Sequence, residues 1–122
     1  MKKYYNLKGF ENLYLEDSFV LSISETKDTI TFILDLVLNE EHPFYSEPND
    51  NEKYCYKKGR IIFSNCQSIE WINKHLKKFI DKNKETDLGN IDSFTKNQNK
   101  ITLIGDWGEV EIITDNIDII YI

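Results

Sequence analysis

The two histidines are the residues best suited to acid–base or metal chemistry. His42 stands in the run EEHP at residues 40–43, and His75 lies among lysines. Neither fits an HExxH motif, and a zinc site needs three or four converging nitrogen, oxygen or sulfur ligands. Because a residue before proline avoids helical conformations, we expect His42 in an extended loop, exposed to solvent. We assign neither histidine a catalytic role and predict no metal and no cofactor.

Cysteine usage indicates the same absence of a reactive centre. Cys55 and Cys66 form no CxxC pair of the kind that binds zinc. Residues 1–15 lack the apolar segment of a secretory signal, which predicts a cytoplasmic protein. A structural disulfide is not expected in that reducing compartment, so both thiols are predicted to be small, partly buried apolar residues. A redox or metal role is the alternative.

Paired carboxylates are the remaining candidates for catalysis. Glu109 and Glu111 are two residues apart, so on a strand they share one face. A retaining glycosidase needs two carboxyls about 5 Å apart in a cleft, whereas a charged outer face of a sheet explains the same spacing. The GDWG motif at 105–108 joins two predicted strands and lacks the helix N-terminus that binds phosphate. Without a nucleophile elbow or a phosphate-loop motif, the chain is predicted not to be an enzyme.

Hydrophobic alternation places most of the chain on strands. Residues 18–25 alternate, with Phe19, Leu21 and Ile23 on one face and serines largely on the other. Residues 29–38 alternate more strongly and are apolar on both faces, which is typical of a central strand. We predict that the two segments form an antiparallel hairpin with a tight turn between them.

The rest of the chain divides into a long loop, a strand, one helix and a second set of strands. Residues 39–53 contain both prolines and predict a long loop, and loops of this length are often functional. Strand character resumes over residues 54–64, with a bulge or turn at residues 57–59. Residues 69–82 have apolar side chains at spacings of three and four, which predicts an amphipathic helix; a strand over residues 68–72 is the competing interpretation. The last third is predicted as short strands joined by turns at residues 96–99, 105–108 and 114–116.

These elements predict a single domain over residues 1–122. Its fold class is α+β and mainly β, an antiparallel sheet or partly open barrel of about seven strands with one amphipathic helix. A chain of 122 residues buries about two-thirds of its unfolded surface, which suffices for one core. No apolar run approaches the ~18 residues of a membrane span, so no membrane partner is predicted.

The net charge of −6 is unevenly distributed. Residues 35–52 hold six acidic residues and no basic one, and residues 101–122 hold five and no basic one. Lysines collect instead at residues 53–60 and 74–84. Acidic residues clustered in this way can attract a basic partner and raise its association rate. The alternative interpretation is an acidic surface that is simply solvated. Arg60 is the only arginine, and duplex binding draws on several Lys/Arg–phosphate contacts, so no nucleic acid partner is predicted.

Aromatic residues near the acidic segments are candidates for partner contacts. Phe44 and Tyr45 lie in the acidic loop (residues 39–53) and Trp107 at a turn, with a core position as the alternative for each. Trp71 is expected in the core. The predicted binding surface combines acidic and aromatic residues of the acidic loop and of the C-terminal hairpins: Glu40, Glu41, Phe44, Tyr45, Glu47, Asp50, Glu52, Asp106, Trp107, Glu109 and Glu111.

Three short motifs and one strand invite comparison with known families: LEDSFVLSI at 15–23, an alternating strand after it, GRIIF at 59–63 and GDWGEVEI at 105–112. With these, the chain resembles small bacterial β-rich domains, among them the immunity proteins of polymorphic and contact-dependent toxin systems. Glu16 stands where several of these families have His. The resemblance implies a non-enzymatic inhibitor that binds one toxin domain, often a nuclease, and blocks its active site or a remote surface. It carries over no individual functional residue.

We therefore predict an immunity-type inhibitor that binds and neutralises a cognate, basic toxin domain. Two alternatives remain open. One is a self-associating module whose exposed strand edge pairs with a second copy. The other is a small-ligand-binding β-barrel or an enzyme with an unrecognised site, whose candidate residues are Tyr54, Tyr56, Trp71 and His75.

Overall fold

Strands with alternating burial make up most of the chain. The structure, a computed structural model, describes residues 1–76, 79–80 and 86–122. Two short 3-10 turns, Tyr4–Asn6 and Leu15–Asp17, lie near the N-terminus. The strands in chain order are β1 (Lys2–Lys3), β2 (Phe19–Glu25), β3 (Ile30–Leu38), β4 (Cys55–Ser64), β5 (Ser68–Lys74), β6 (Phe79–Ile80), β7 (Thr86–Asp87), β8 (Ile91–Asn97), β9 (Lys100–Gly105), β10 (Gly108–Ile113) and β11 (Asn116–Tyr121).

The strands form two main antiparallel sheets. One has the order β11-β4-β3-β2 and the other β1-β8-β9-β10-β5, while β6 pairs with β7. Apolar side chains of both sheets meet in one buried cluster. In it, the ring centroids of Phe32 on β3 and Trp107 are 5.1 Å apart, and those of Phe63 on β4 and Phe94 on β8 are 5.8 Å apart. The prediction of a mainly β, antiparallel fold is confirmed. The part of the chain described here has more strands than the seven expected, and they close no barrel.

The helix predicted over residues 69–82 is wrong wherever the structure describes that segment. Ser68–Lys74 is β5, which pairs with β10, and Phe79–Ile80 is β6. Trp71 packs against the core while Ile72 is exposed, so burial follows the period of a strand. Pairing with β10 satisfies the backbone groups of this segment and outweighs a weak helical spacing of apolar residues. The rest of the predicted helix lies outside the described residues.

The hairpin of β2 and β3 is confirmed, but β2 faces the core differently from the prediction. Its turn is closed by a hydrogen bond of 2.8 Å from Thr26 N to Thr29 O. A β-bulge between Val20 and Ser22 shifts the alternation of β2. Val20 is consequently buried and Phe19 lies exposed on the outer face. β3 is an inner strand, as predicted.

β4 runs straight through the position of the predicted bulge. Its register with β3 and with β11 is continuous across Gly59. A Cβ at Gly59 would lie 2.7 Å from Leu36 Cδ1, so the glycine allows the Leu36 side chain to approach the backbone of β4 and causes no change of register. The predicted turns of the last third connect β8 to β9, β9 to β10 and β10 to β11. β11 ends the four-stranded sheet as an edge strand.

Candidate functional site

The acidic loop leaves the four-stranded sheet after β3 and returns to it at β4. Its first half is a series of turns in which His42 N donates to Asn39 O at 3.0 Å and Tyr45 N donates to His42 O at 3.0 Å. Within the residues that the structure describes, no ion pair involves a carboxylate of this loop. The acidic side chains that were predicted here are all exposed: Glu40, Glu41, Glu47, Asp50 and Glu52.

His42 fastens this loop to the last strand. It was expected to be solvated, but its side chain is 9% exposed and its Nε2 lies 2.7 Å from the hydroxyl oxygen of Tyr121. Nδ1 accepts a hydrogen bond of 3.0 Å from Phe44 N, so the neutral ring carries its proton on Nε2. The Nε2–H group then donates a hydrogen bond to the hydroxyl oxygen of Tyr121. Burial lowers the pKa of His42. The histidine is therefore a structural anchor in its neutral form.

The two aromatic residues predicted as loop contacts occupy different environments. Phe44 is 54% exposed and stacks edge-on against Tyr121, with ring centroids 5.2 Å apart. Tyr45 is half-buried and packs against the core cluster. Burial and then the charge of Glu40 raise the pKa of Tyr45, so its hydroxyl lies in the negative field of the loop. Phe44 thus keeps an exposed ring surface, with Lys57 Nζ 5.7 Å from its ring centroid, while Tyr45 packs between the loop and the core.

A cavity of about 400 Å³ lies between the acidic loop and the end of the four-stranded sheet. Tyr14, Tyr45 and Tyr54 are among its lining residues, and we call it the tyrosine cavity. Glu40 and Lys53 also line it, and the ammonium nitrogen of Lys53 lies 5.3 Å from the ring centroid of Tyr54. The cavity is thus aromatic, with charged side chains among its lining residues.

An exposed aromatic patch adjoins the loop on the outer face of the same sheet. The rings of Phe19 and Tyr56 stack with centroids 6.0 Å apart, and Tyr54 meets Tyr56 edge-on at 6.1 Å. The Tyr54 hydroxyl donates to Asp17 Oδ2 at 2.6 Å, and this hydrogen bond raises the pKa of Tyr54. Glu52 of the loop is close enough for its charge to contribute, after burial, to a raised pKa of Tyr56.

Sequence reasoning did not assign Phe19, Asp17 or Tyr14 to a binding surface. The β-bulge turns Phe19 outward, and strict alternation contains no signal for that turn. Tyr14 reaches the loop because Tyr14 N donates to Val37 O at 3.0 Å, a contact distant in sequence. The one available signal was the run of tyrosines that follows the loop, which had been assigned to the ligand-site alternative.

Trp107 is a correction to the predicted binding surface. It lies in the turn between β9 and β10 but is 0% exposed, and its indole Nε1 donates to Asn90 O at 3.1 Å. Its ring packs edge-on against Phe32 and Trp71, so the turn folds inward over the core. Trp107 therefore has no surface to offer a partner.

The acidic residues around Trp107 belong to the five-stranded sheet and not to the loop. Asp106 is exposed, and its Oδ2 accepts a hydrogen bond of 3.3 Å from Asn90 N. Its charge contributes, after burial, to a raised pKa of Asp92. Glu109 is half-buried, and Glu111 pairs with Lys100 at 3.1 Å. These carboxylates form a second acidic region, on a different sheet from the acidic loop.

The residues of the ligand-site alternative are not brought together. Tyr56 pairs with Val37, near the C-terminal end of β3. Trp71 lies near the opposite end of β3, because its Nε1 donates a hydrogen bond of 2.8 Å to Glu25, and Glu25 pairs with Ile30. At the rise of a β-strand these ends are roughly 23 Å apart. The candidate set of Tyr54, Tyr56, Trp71 and His75 therefore forms no single site.

Comparison with known proteins adds no relative. No family model, no curated protein and no solved structure matches the chain. Across residues 1–76 and 86–122, no cluster of three or more His, Cys, Asp or Glu side chains is arranged to hold a metal ion. Those same stretches contain no helix with the length and apolar character to cross a membrane.

Proposed function

We propose that this protein is an immunity-type inhibitor that acts in the cytoplasm by binding a basic bacterial toxin domain, without catalysis of its own. The observation that carries the proposal is the acidic loop, in which five exposed carboxylates stand on a segment anchored through His42 to Tyr121. Charged side chains held on an anchored loop attract a basic surface and hold it in one orientation.

The aromatic patch supports the same surface. Phe19 and Tyr56 are large, partly exposed rings, and residues of this kind supply much of the binding energy in protein interfaces. They adjoin the loop, so one partner can contact the acidic side chains and the rings together. The proposed binding surface is therefore the acidic loop with Phe44 and the aromatic patch. Asp106, Glu109 and Glu111 form a separate acidic region, and Trp107 is omitted.

Co-expression with the product of the gene encoded immediately upstream tests the proposal. We expect a stable complex on gel filtration at moderate salt, and loss of the toxicity of that product. A protein in which Glu47→Lys and Asp50→Lys are combined should fold but bind more weakly. The proposal fails if no complex forms and the growth defect persists when both wild-type proteins are expressed.

Self-association is a second candidate function, which the position of β11 favours. Ile122 N donates to Lys58 O at 3.0 Å, so by antiparallel alternation the even-numbered residues of β11 bond to β4. The backbone groups of Ile117, Ile119 and Tyr121 then point to the other edge, with which no strand pairs in the described part of the chain. Light scattering across a hundredfold range of concentration distinguishes a monomeric inhibitor from a self-paired dimer.

A further inference from the structure

The tyrosine cavity has the size and position of a receptor for one side chain of a bound protein. Its volume of about 400 Å³ lies within the range of ligand-binding pockets. Glu40, Tyr45 and Lys53 of the acidic loop line it, so a partner docked on that loop lies next to the cavity. Val37 and Leu38 are buried apolar residues among its lining, and the tyrosines supply aromatic surface.

The chemistry of the walls selects a cation. Tyrosine ring faces attract ammonium and guanidinium groups, and Lys53 already places its ammonium group 5.3 Å from the ring centroid of Tyr54. Glu40 lines the cavity, is exposed, and makes no ion pair with any residue that the structure describes. Glu40 and the nearby Glu47 attract a cationic guest and repel an anionic one. Lys53, the one cation among the lining residues that the structure describes, is already placed against the ring of Tyr54.

Arginine fits these walls better than lysine. Its guanidinium is planar and weakly hydrated, so it stacks on aromatic rings and leaves water at lower cost than an ammonium group. Its fork of N–H donors also matches the carboxylate of Glu40, which lines the cavity. We infer that the tyrosine cavity receives one arginine side chain of the protein partner, an inference that rests on the proposed function for the existence of that partner.

A small probe tests the cavity without the partner. N-acetyl-L-arginine amide is titrated into the full chain while the tyrosine ring signals are followed by NMR, and N-acetyl-L-citrulline amide, its uncharged counterpart, is titrated in parallel. We expect saturable shifts at Tyr14, Tyr45 and Tyr54 with the arginine probe, at a dissociation constant on the order of 1–100 mM, and none with citrulline. Equal responses to both probes, or none at these rings, overturn the inference.

Matched variants locate the probe. Tyr14→Leu removes one ring of the cavity and should weaken binding about two- to fivefold. Tyr5→Leu is its control, since Tyr5 and Tyr14 are 45% and 46% exposed and Tyr5 does not line the cavity. Glu40→Gln should weaken binding by a similar factor, whereas the exposed Glu11→Gln should not. The inference is also wrong if the controls lose as much affinity as the cavity variants.

The outcome of this titration is separable from that of the co-expression experiment. Saturable arginine binding without a complex leaves the cavity as a cation receptor and removes the toxin assignment. A stable complex without arginine binding supports the proposed function and overturns the cavity inference alone.

Discussion

The Nε2 atom of His42 lies 2.7 Å from the hydroxyl oxygen of Tyr121, and this contact joins the acidic loop to the last strand of the chain. The two residues are far apart in sequence, and neither stands in a recognisable motif. Because Nδ1 of the same ring accepts from Phe44 N, protonation of His42 replaces an acceptor with a donor and breaks that hydrogen bond. The loop geometry therefore depends on a neutral histidine.

The first prediction concerns pH. Burial lowers the pKa of His42 in the folded protein below its usual value of about 6.5, so the unfolded chain binds the proton more readily. The free energy of unfolding should be fully maintained above about pH 6.5 and fall as the pH drops from there through the lower, folded-state pKa. Urea denaturation at half-unit steps from pH 8 to pH 5 measures this decline.

Two variants assign that decline to His42. His42→Gln should remove it, while His75→Gln, at an exposed histidine, should retain it. Asp35 and Asp92 have raised pKa values through burial, so they gain protons more readily in the folded state and act in the opposite direction at lower pH. Their effect is common to all three proteins. If the decline in the free energy of unfolding persists in His42→Gln, the neutral His42 side chain does not anchor the loop.

The second prediction concerns Ser18, which is fully buried beside the acidic loop. Its Oγ accepts from Val37 N at 2.9 Å and donates to Tyr14 O at 2.8 Å. Ser18→Ala leaves a buried N–H without a partner and should lower the free energy of unfolding by about 1–3 kcal/mol. Chemical denaturation measures the loss. Ser22→Ala, at an exposed position on β2, should change stability by less than about 0.5 kcal/mol.

The third prediction separates a core role of Trp107 from a contact role. Trp107→Ala deletes a fully buried ring and its hydrogen bond to Asn90, so stability should fall by about 3–5 kcal/mol. Trp71→Ala, at a half-buried ring, should cost less. Thermal and urea denaturation give both values. If the stability of Trp107→Ala equals that of the wild type, Trp107 has no core role and its assignment to the binding surface is restored.

The fourth prediction concerns the rate of association with a basic partner. Reversing Glu47 and Asp50 to lysine should slow association about tenfold at low salt, because long-range attraction to the loop is weakened. The difference should shrink at 0.5 M salt, where the screening length is about 4 Å. Stopped-flow mixing measures both rates.

The control for that prediction carries the same net charge. Asp28 and Asp115 are exposed residues in the turns before β3 and before β11, at the end of the sheet opposite the loop. Reversing both to lysine should slow association less than the loop variant does. Equal slowing by the two double variants would attribute the effect to total charge and remove the loop from the interface.

Period-two alternation predicted the parts of the fold in which local pattern and sheet pairing agree. β3 and the last three strands are of this kind, since each packs one side-chain face against the core, fully buried in β3, β9 and β10 and partly buried in β11. β5 was predicted as a helix because its apolar residues also fit a spacing of three and four. Its pairing with β10 is distant in sequence, and no local pattern contains it.

The candidate site was predictable in its charge but not in its shape. The acidic loop and its exposed carboxylates followed from composition and turn residues. The anchoring of His42, the outward Phe19 and the tyrosine cavity arise from contacts between distant segments and from one β-bulge. Such contacts depend on three-dimensional packing, which a single sequence does not display.

The anchored loop has a consequence for the thermodynamics of recognition. A long loop that is free in solution loses backbone entropy when a partner orders it, at about 1–2 kcal/mol for each residue fixed. The turns around His42 and its link to Tyr121 order the first half of the loop before any partner arrives. That cost is met during folding, so a complex formed on this surface should dissociate more slowly than one formed on an unanchored loop of the same charge.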